Sequence, residues 1–127
     1  MQTYELDITD LSHDGRGVAR HEGKAVFVRG ALPGEHVRAV RTARHRQYDE
    51  ARVDAVLAAS PDRVEPRCVH FGTCGGCALQ HLAPAAQIAA KARTLMENLE
   101  RIGHVRPGRE LAPLASESWG YRRRARL

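Results

Sequence analysis

Three cysteines lie close together in the middle of the chain, at Cys68, Cys74 and Cys77. A Cys-x2-Cys pair places two thiolates on one tight turn. The intervening Gly75 and Gly76 permit backbone torsions that other residues resist, and they bring amide N–H groups near the sulfurs. Thiolate-rich sites suit zinc or iron–sulfur clusters. The spacing therefore predicts a metal site with these three cysteines as ligands.

Both kinds of centre usually take four ligands, and the chain has only three cysteines. A histidine is one source of the fourth ligand, with His70 and His81 nearest, and a cysteine beyond Leu127 is the other. Three free thiols would leave the Cys-Gly-Gly-Cys arrangement unexplained. A redox disulfide would use the Cys-x2-Cys spacing but would leave Cys68 without a role. Metal binding is the better interpretation.

Positive charge is concentrated in two places. Residues 1–60 carry as many Asp and Glu as Arg and Lys, so the net charge of +5 comes from residues 61–127. Near the end of the chain, Arg122 and Arg124 belong to a run of arginines that can pair with phosphates and release counterions. A solvated surface run is the alternative.

The second basic segment is a predicted strand that contains Arg38, Arg41, Arg44 and Arg46. Alternation along a strand would place several of these groups on one face, and Tyr48 follows them as a ring on which a base could stack. The alternative is a solvated basic face balanced by the acidic residues at 49 and 50. The residues alone support the two interpretations equally.

Several classes of protein are disfavoured by the sequence. No stretch is apolar enough to span a membrane, and the N-terminus lacks the basic and apolar regions of a secretory signal. An odd number of clustered cysteines does not fit the disulfide framework of a secreted domain. We therefore expect a cytoplasmic protein that does not act at a membrane.

Residues 1–59 have the pattern of short strands separated by turns. Leu6 and Ile8 alternate with polar neighbours, and residues 25–28 are β-branched and aromatic. Turn-forming sequences at 12–17 and 31–34 separate these stretches. Four or five short strands of this kind predict a small closed β-barrel, of the OB-like type.

Residues 60–127 change character. A proline-containing linker at 60–67 leads into the cysteine segment, and apolar residues then recur at helical spacing, from Ile88 to Ile102. With Pro84 suited to the first turn and Gly103 to the C-terminal cap, a helix is predicted at 84–102. Its apolar stripe needs a partner, either the barrel or a part of the protein outside this chain. The overall class is α+β, with domains at 1–59 and 60–127.

These segments resemble a known family. Residues 67–77, Arg-Cys-Val-His-Phe-Gly-Thr-Cys-Gly-Gly-Cys, followed by Leu-Gln-His at 79–81, resemble the cluster-binding segment of the RNA uracil-5-methyltransferases, in particular the bacterial 23S ribosomal RNA branch. Residues 1–59 resemble the TRAM domain, a small RNA-binding barrel, through Asp-Gly-Arg-Gly-Val-Ala at 14–19 and Leu-Pro-Gly-Glu at 32–35. Residues 119–126 resemble the point where the family's central domain resumes. Val69 departs from the family, which often has proline there.

The resemblance implies a [4Fe-4S] cluster with Cys68, Cys74 and Cys77 as three ligands and a downstream cysteine as the fourth. It also implies S-adenosyl-L-methionine as methyl donor, a cysteine thiolate that adds to carbon 6 of the uracil, and a carboxylate base. No residue of this chain matches those catalytic or donor-binding groups. We therefore expect an N-terminal fragment that is inactive alone.

The resemblance further implies ribosomal RNA as the partner, with no role for DNA, and a monomeric protein. A complete RNA-binding module with a structural zinc site is the alternative. A radical-type enzyme is a third class, because TRAM-like barrels accompany such proteins. Those enzymes use Cys-x3-Cys-x2-Cys, and the x5 gap before Cys74 disfavours that class.

Overall fold

The computed structural model describes residues 2–126, which divide into two compact units after Ala83. The first unit contains the predicted barrel and also the whole cysteine segment. The helix and the residues after it make up the second unit. The cysteines are therefore part of the same compact body as the strands.

Six strands form a single sheet in the first unit, ordered β1-β5-β6-β4-β3-β2. The strands are β1 (Thr3–Asp7), β2 (Asp10–Leu11), β3 (Gly17–His21), β4 (Lys24–Arg29), β5 (His36–Arg44) and β6 (Tyr48–Ala58). All neighbours are antiparallel except β4 and β6, which are parallel. The edge strands β1 and β2 are joined by only Ile8 and Thr9, so the sheet must curl round on itself. The predicted small β domain is confirmed.

The core lies on the inner face of this curled sheet. Alternate residues of β1 point inward, so Tyr4 and Leu6 are buried while their neighbours are exposed. Small and β-branched residues complete the core, as expected for a chain with few aromatic rings: Ile8, Ala19, Val26, Val28, Ala31, Val37, Ala39 and Ala51. Their removal from water supplies the main driving force for folding.

One polar cluster accompanies that core. The Tyr4 hydroxyl donates to Asp49 Oδ2 at 2.5 Å, and Lys24 Nζ donates to Asp49 Oδ1 at 2.8 Å. The hydrogen bond from Lys24 holds the pKa of the buried Asp49 carboxyl below its ordinary value, while burial raises the pKa of Tyr4. The carboxylate is thus charged and paired, which makes its burial tolerable.

The second unit contains one helix, α1 (Pro84–Arg101), in agreement with the predicted 84–102. Its C-terminal end is closed by the Gly103 amide, which donates to the Asn98 carbonyl at 3.0 Å. Ile88, Leu95 and other residues of the stripe line a cleft of about 890 Å³ together with residues from 107–121. Among the described residues, no helix is both long and apolar enough to cross a membrane.

Candidate functional site

The cysteine segment is held at its base by a short antiparallel contact. Arg63 pairs with Leu82 as an isolated β-bridge. The Val64 amide donates to the His81 carbonyl at 2.9 Å, and the Ala83 amide donates to the Asp62 carbonyl at 2.8 Å. Residues 65–80 therefore form a loop whose two ends are fixed beside each other.

A buried ion pair joins this base to the barrel. Glu35 has no exposed surface, and its carboxylate accepts hydrogen bonds from Arg63 Nε at 2.7 Å and Nη2 at 2.9 Å. The backbone amides of Leu32 and Ser60 donate to the same carboxylate at 2.8 and 3.2 Å. Burial alone would raise the pKa of Glu35, but these four hydrogen bonds hold it below its ordinary value. Glu35 is therefore a fully satisfied anion.

A glycine allows the barrel and the cysteine segment to approach closely. Gly15 adopts φ +87°, and a Cβ there would lie 3.1 Å from the Ala78 Cβ and 3.2 Å from the Ala78 carbonyl oxygen. Any side chain at residue 15 would press on the residue that follows Cys77. The turn at 12–17 thus packs directly against the cysteine loop.

The loop itself consists of consecutive turns. The Phe71 amide donates to the Cys68 carbonyl at 3.2 Å, and the Cys74 amide donates to the His70 carbonyl at 2.9 Å. Gly72 and Gly75 have φ of 90° and 78°, which favours glycine at both positions. Cys74 and Cys77 are exposed and Cys68 is partly buried.

The three thiols are suitable donors for a metal centre, but they do not form a preassembled site. Thiolates are the donors that zinc and iron–sulfur clusters prefer. Within residues 2–126, however, no group of three His, Cys, Asp or Glu side chains is close enough together to hold a metal ion. Cys68, Cys74 and Cys77 therefore stay predicted ligands.

The two histidines considered as fourth ligands differ in environment. His70 is exposed, whereas His81 is only 3% exposed and its ring lies 5.3 Å from that of Phe71. Neither ring nitrogen of His81 has a hydrogen-bond partner among the described residues. Burial, with the nearby charge of Arg63, holds the pKa of His81 below its ordinary value, so the ring is neutral at physiological pH.

The predicted RNA-binding arginines of β5 do not share one environment. Arg38 is paired with Asp54 at 3.0 Å, and Arg41 donates to the Gln2 side chain at 2.8 Å. The register between β5 and β6 shifts between Arg38 and Ala39 and again between Arg41 and Ala43. Such irregularities interrupt strict alternation, so the basic residues do not form a single row.

Arg44 and Arg46 are exposed at the end of β5, and neither has an ion-pair partner in the part of the chain that the structure describes. Arg122 and Arg124 are exposed in the second unit, outside any helix or strand. Of the predicted set, Arg44 and Arg46 are the arginines of the first unit that are free to meet a phosphate.

Tyr48 is part of a group of rings. Its ring stacks on His45, with centroids 4.4 Å apart, and makes an edge contact with Phe27 at 5.5 Å. Arg16 covers Phe27, with its guanidinium carbon 4.8 Å from the ring centroid. Sequence analysis identified Tyr48 but missed Phe27, because these rings meet through the parallel pairing of β4 with β6 and not through a local pattern.

Comparison with known families matches the N-terminal part of the chain. Residues 1–53 match the family model of the TRAM domain. A conserved Methanococcus maripaludis protein of known solution structure is 31% identical, covering 42% of this chain and 77% of that one, with a TM-score of 0.41.

Curated relatives extend the similarity beyond the barrel. The chain is 65% identical to 23S rRNA (uracil(1939)-C(5))-methyltransferase RlmD of Stenotrophomonas maltophilia and 60% identical to the protein of the same name from Xanthomonas oryzae pv. oryzae. Each match covers 98% of this chain and 29% of the relative. The chain thus spans less than a third of the length of these relatives.

Proposed function

We propose that this chain, which carries a TRAM domain and resembles the 23S ribosomal RNA uracil-5-methyltransferases along almost its whole length, is the RNA-binding and cluster-binding part of such an enzyme. The observation that carries the proposal is the 60–65% identity over 98% of the chain. S-adenosyl-L-methionine would be the methyl donor, and no residue of this chain is assigned to binding it or to methyl transfer.

The barrel would bind ribosomal RNA through β5 and its neighbours. Arg44 and Arg46 are exposed and have no acidic partner among the described residues, so both can neutralise phosphates. Residues 1–60 have no net charge, and binding would depend on this local surface. The partner would be RNA and not DNA, and the protein would act in the cytoplasm as a monomer.

Removing both arginines tests this surface. Arg44→Ala with Arg46→Ala should weaken binding of the chain to structured RNA. The slope of log affinity against log salt should fall by about 0.7–0.9 for each phosphate contact that is lost. Fluorescence anisotropy over a range of salt concentrations measures both quantities.

The matched control removes two positive charges from α1, with Arg93→Ala and Arg101→Ala. If the proposal holds, the control lowers affinity much less than the β5 variant. Equal losses in the two double variants would show that only overall charge matters, and unchanged binding by the β5 variant would exclude β5 as the RNA-contacting strand.

The cysteine loop would hold the [4Fe-4S] cluster, with Cys68, Cys74 and Cys77 as three of its ligands. The support is the donor set, the exposure of Cys74 and Cys77, and a loop of turns in which Gly72 and Gly75 have positive φ. When bound, such a cluster supplies redox chemistry or a rigid structural centre. A structural zinc ion is the second candidate, because zinc takes the same donors.

Metal analysis distinguishes the two candidates. We expect iron and sulfide in protein of the relatives' full length purified without oxygen, and we expect Cys74→Ser to abolish its visible absorption. Thr73→Ser changes a neighbouring residue that supplies no thiol, and it should leave the absorption intact. Stoichiometric zinc without iron in protein of the relatives' full length would reject the iron–sulfur assignment.

A further inference from the structure

A second basic site lies on the outer face of the barrel, where β4 and β6 pair beside the strand that the sequence identified. The parallel register of β4 and β6 places Arg29 directly beside Arg52. Both side chains are exposed, and both line a cleft of about 430 Å³. Phe27 and Thr42 also line this cleft.

The two arginines repel each other as they stand. Like charges directly opposite on neighbouring strands destabilise a sheet. Among the described residues, neither Arg29 nor Arg52 has an ion-pair partner, although Arg16 has two and Arg38 and Arg63 have one each. An anion bound between the two guanidiniums would remove the repulsion, and planar guanidiniums suit the oxygens of a phosphate.

In the remainder of the cleft the arginine has acidic partners. Arg16 lies over Phe27 and is neutralised by Asp14 at 3.0 Å and Glu50 at 2.9 Å. Arg16 therefore holds the Phe27 ring and the Asp14 and Glu50 carboxylates in place. The hydrogen bond from His45 holds the pKa of Glu50 below its ordinary value, so Glu50 is an anionic acceptor beside the aromatic ring.

From this arrangement we infer a nucleotide subsite for single-stranded RNA. One phosphate binds between Arg29 and Arg52. The adjoining base packs against the part of the Phe27 ring that Arg16 leaves exposed to the cleft, with the N–H edge of the base near Glu50. The volume falls within the range of about 300–1,000 Å³ typical of small-ligand sites, enough for one nucleotide. The inference rests on the proposed RNA-binding function and adds to it a site on β4 and β6.

A single strand fits this site better than a duplex. A base in a duplex is stacked on both sides and its donor groups are paired, so it cannot lie against Phe27. A single strand leaves each base free to stack on a protein ring while its phosphates follow the arginines. The carboxylate of Glu50 would repel a phosphate, which fixes the orientation with the phosphate at the Arg29–Arg52 end.

The test compares binding of the 127-residue chain to a single-stranded RNA of mixed sequence, about ten nucleotides long, and to the same strand in a duplex. Arg29→Ala with Arg52→Ala should weaken single-strand binding about tenfold and lower the salt slope by about 0.7 per lost contact. Phe27→Leu keeps an apolar side chain but removes the ring. It should weaken binding without changing the salt slope.

Arg93→Ala with Arg101→Ala is the charge-matched control, and circular dichroism establishes that each variant is folded. Single-strand binding that is unchanged in both the arginine and the Phe27 variants overturns the subsite. Duplex bound as tightly as single strand by the parent chain also overturns it. If the unsubstituted chain binds structured RNA but gives either of these two results, only the subsite is rejected and the proposed RNA-binding function stands. If the unsubstituted chain binds no RNA, both the subsite and the proposed function are rejected.

Discussion

Replacing Glu35 with Gln is expected to lower the free energy of unfolding of the chain by about 3 kcal/mol. The carboxylate is fully buried and accepts four hydrogen bonds, two of them from Arg63. An amide cannot accept all four, and it leaves the guanidinium, 25% exposed, without a counter-ion. Chemical denaturation monitored by circular dichroism measures the loss.

Arg38→Ala is the matched control, because Arg38 and Asp54 form an ion pair in which both side chains are more than two-fifths exposed. That variant should cost less than about 1 kcal/mol. Equal losses in the two variants would contradict the importance of burial at Glu35.

The same pair predicts a pH dependence. The pKa of Glu35 is depressed in the folded state from an ordinary value of 4.5. Its contribution to stability is therefore complete above that value and is lost as the pH falls through the lower, folded-state pKa. Denaturation measured from neutral pH down to pH 3, near the ordinary carboxyl range, should show a shallower acid loss in Glu35→Gln than in the parent.

The second large effect is expected at Gly15. Gly15→Ala combines an unfavourable φ of +87° with close contacts to the Ala78 side chain and carbonyl oxygen. The backbone contribution should be about 1–2 kcal/mol, and the crowding should add about 1–3 kcal/mol. Denaturation of the variant measures the sum.

Gly23→Ala separates the two contributions. Gly23 has φ +79°, and a Cβ there would meet no atom within 4 Å. Its substitution therefore reports the backbone term alone. If the two alanine variants lose the same stability, the packing of residue 15 against the cysteine segment is not important for the fold.

Much of the fold could be predicted from local patterns in the sequence. The alternation of Leu6 and Ile8 indicated a strand and its buried face, and the three- and four-residue spacing from Ile88 to Ile102 indicated α1. Each of these signals is contained within a few consecutive residues. Secondary structure and the general β class follow from such signals because period two and period 3.6 are properties of the backbone.

Pairs of residues that are distant in sequence could not be predicted in the same way. Glu35 belongs to a turn, and nothing in its neighbourhood indicates that Arg63 satisfies it across the unit. Arg29 and Arg52 become neighbours only through the parallel pairing of two strands that are not consecutive. The register shifts of β5 likewise separate Arg41 from the row that simple alternation would produce.

The backbone contacts that hold the two ends of the cysteine loop together have a thermodynamic consequence for metal binding. Closing a flexible loop costs entropy that grows slowly with its length. Because the contacts of Val64 with His81 and of Asp62 with Ala83 already close residues 65–80, folding of the barrel bears that cost before any metal arrives. The ion would have to order only a short, tethered stretch. Metal affinity should therefore depend on barrel stability. A substitution that destabilises the barrel should be detected first as weaker metal binding by the loop.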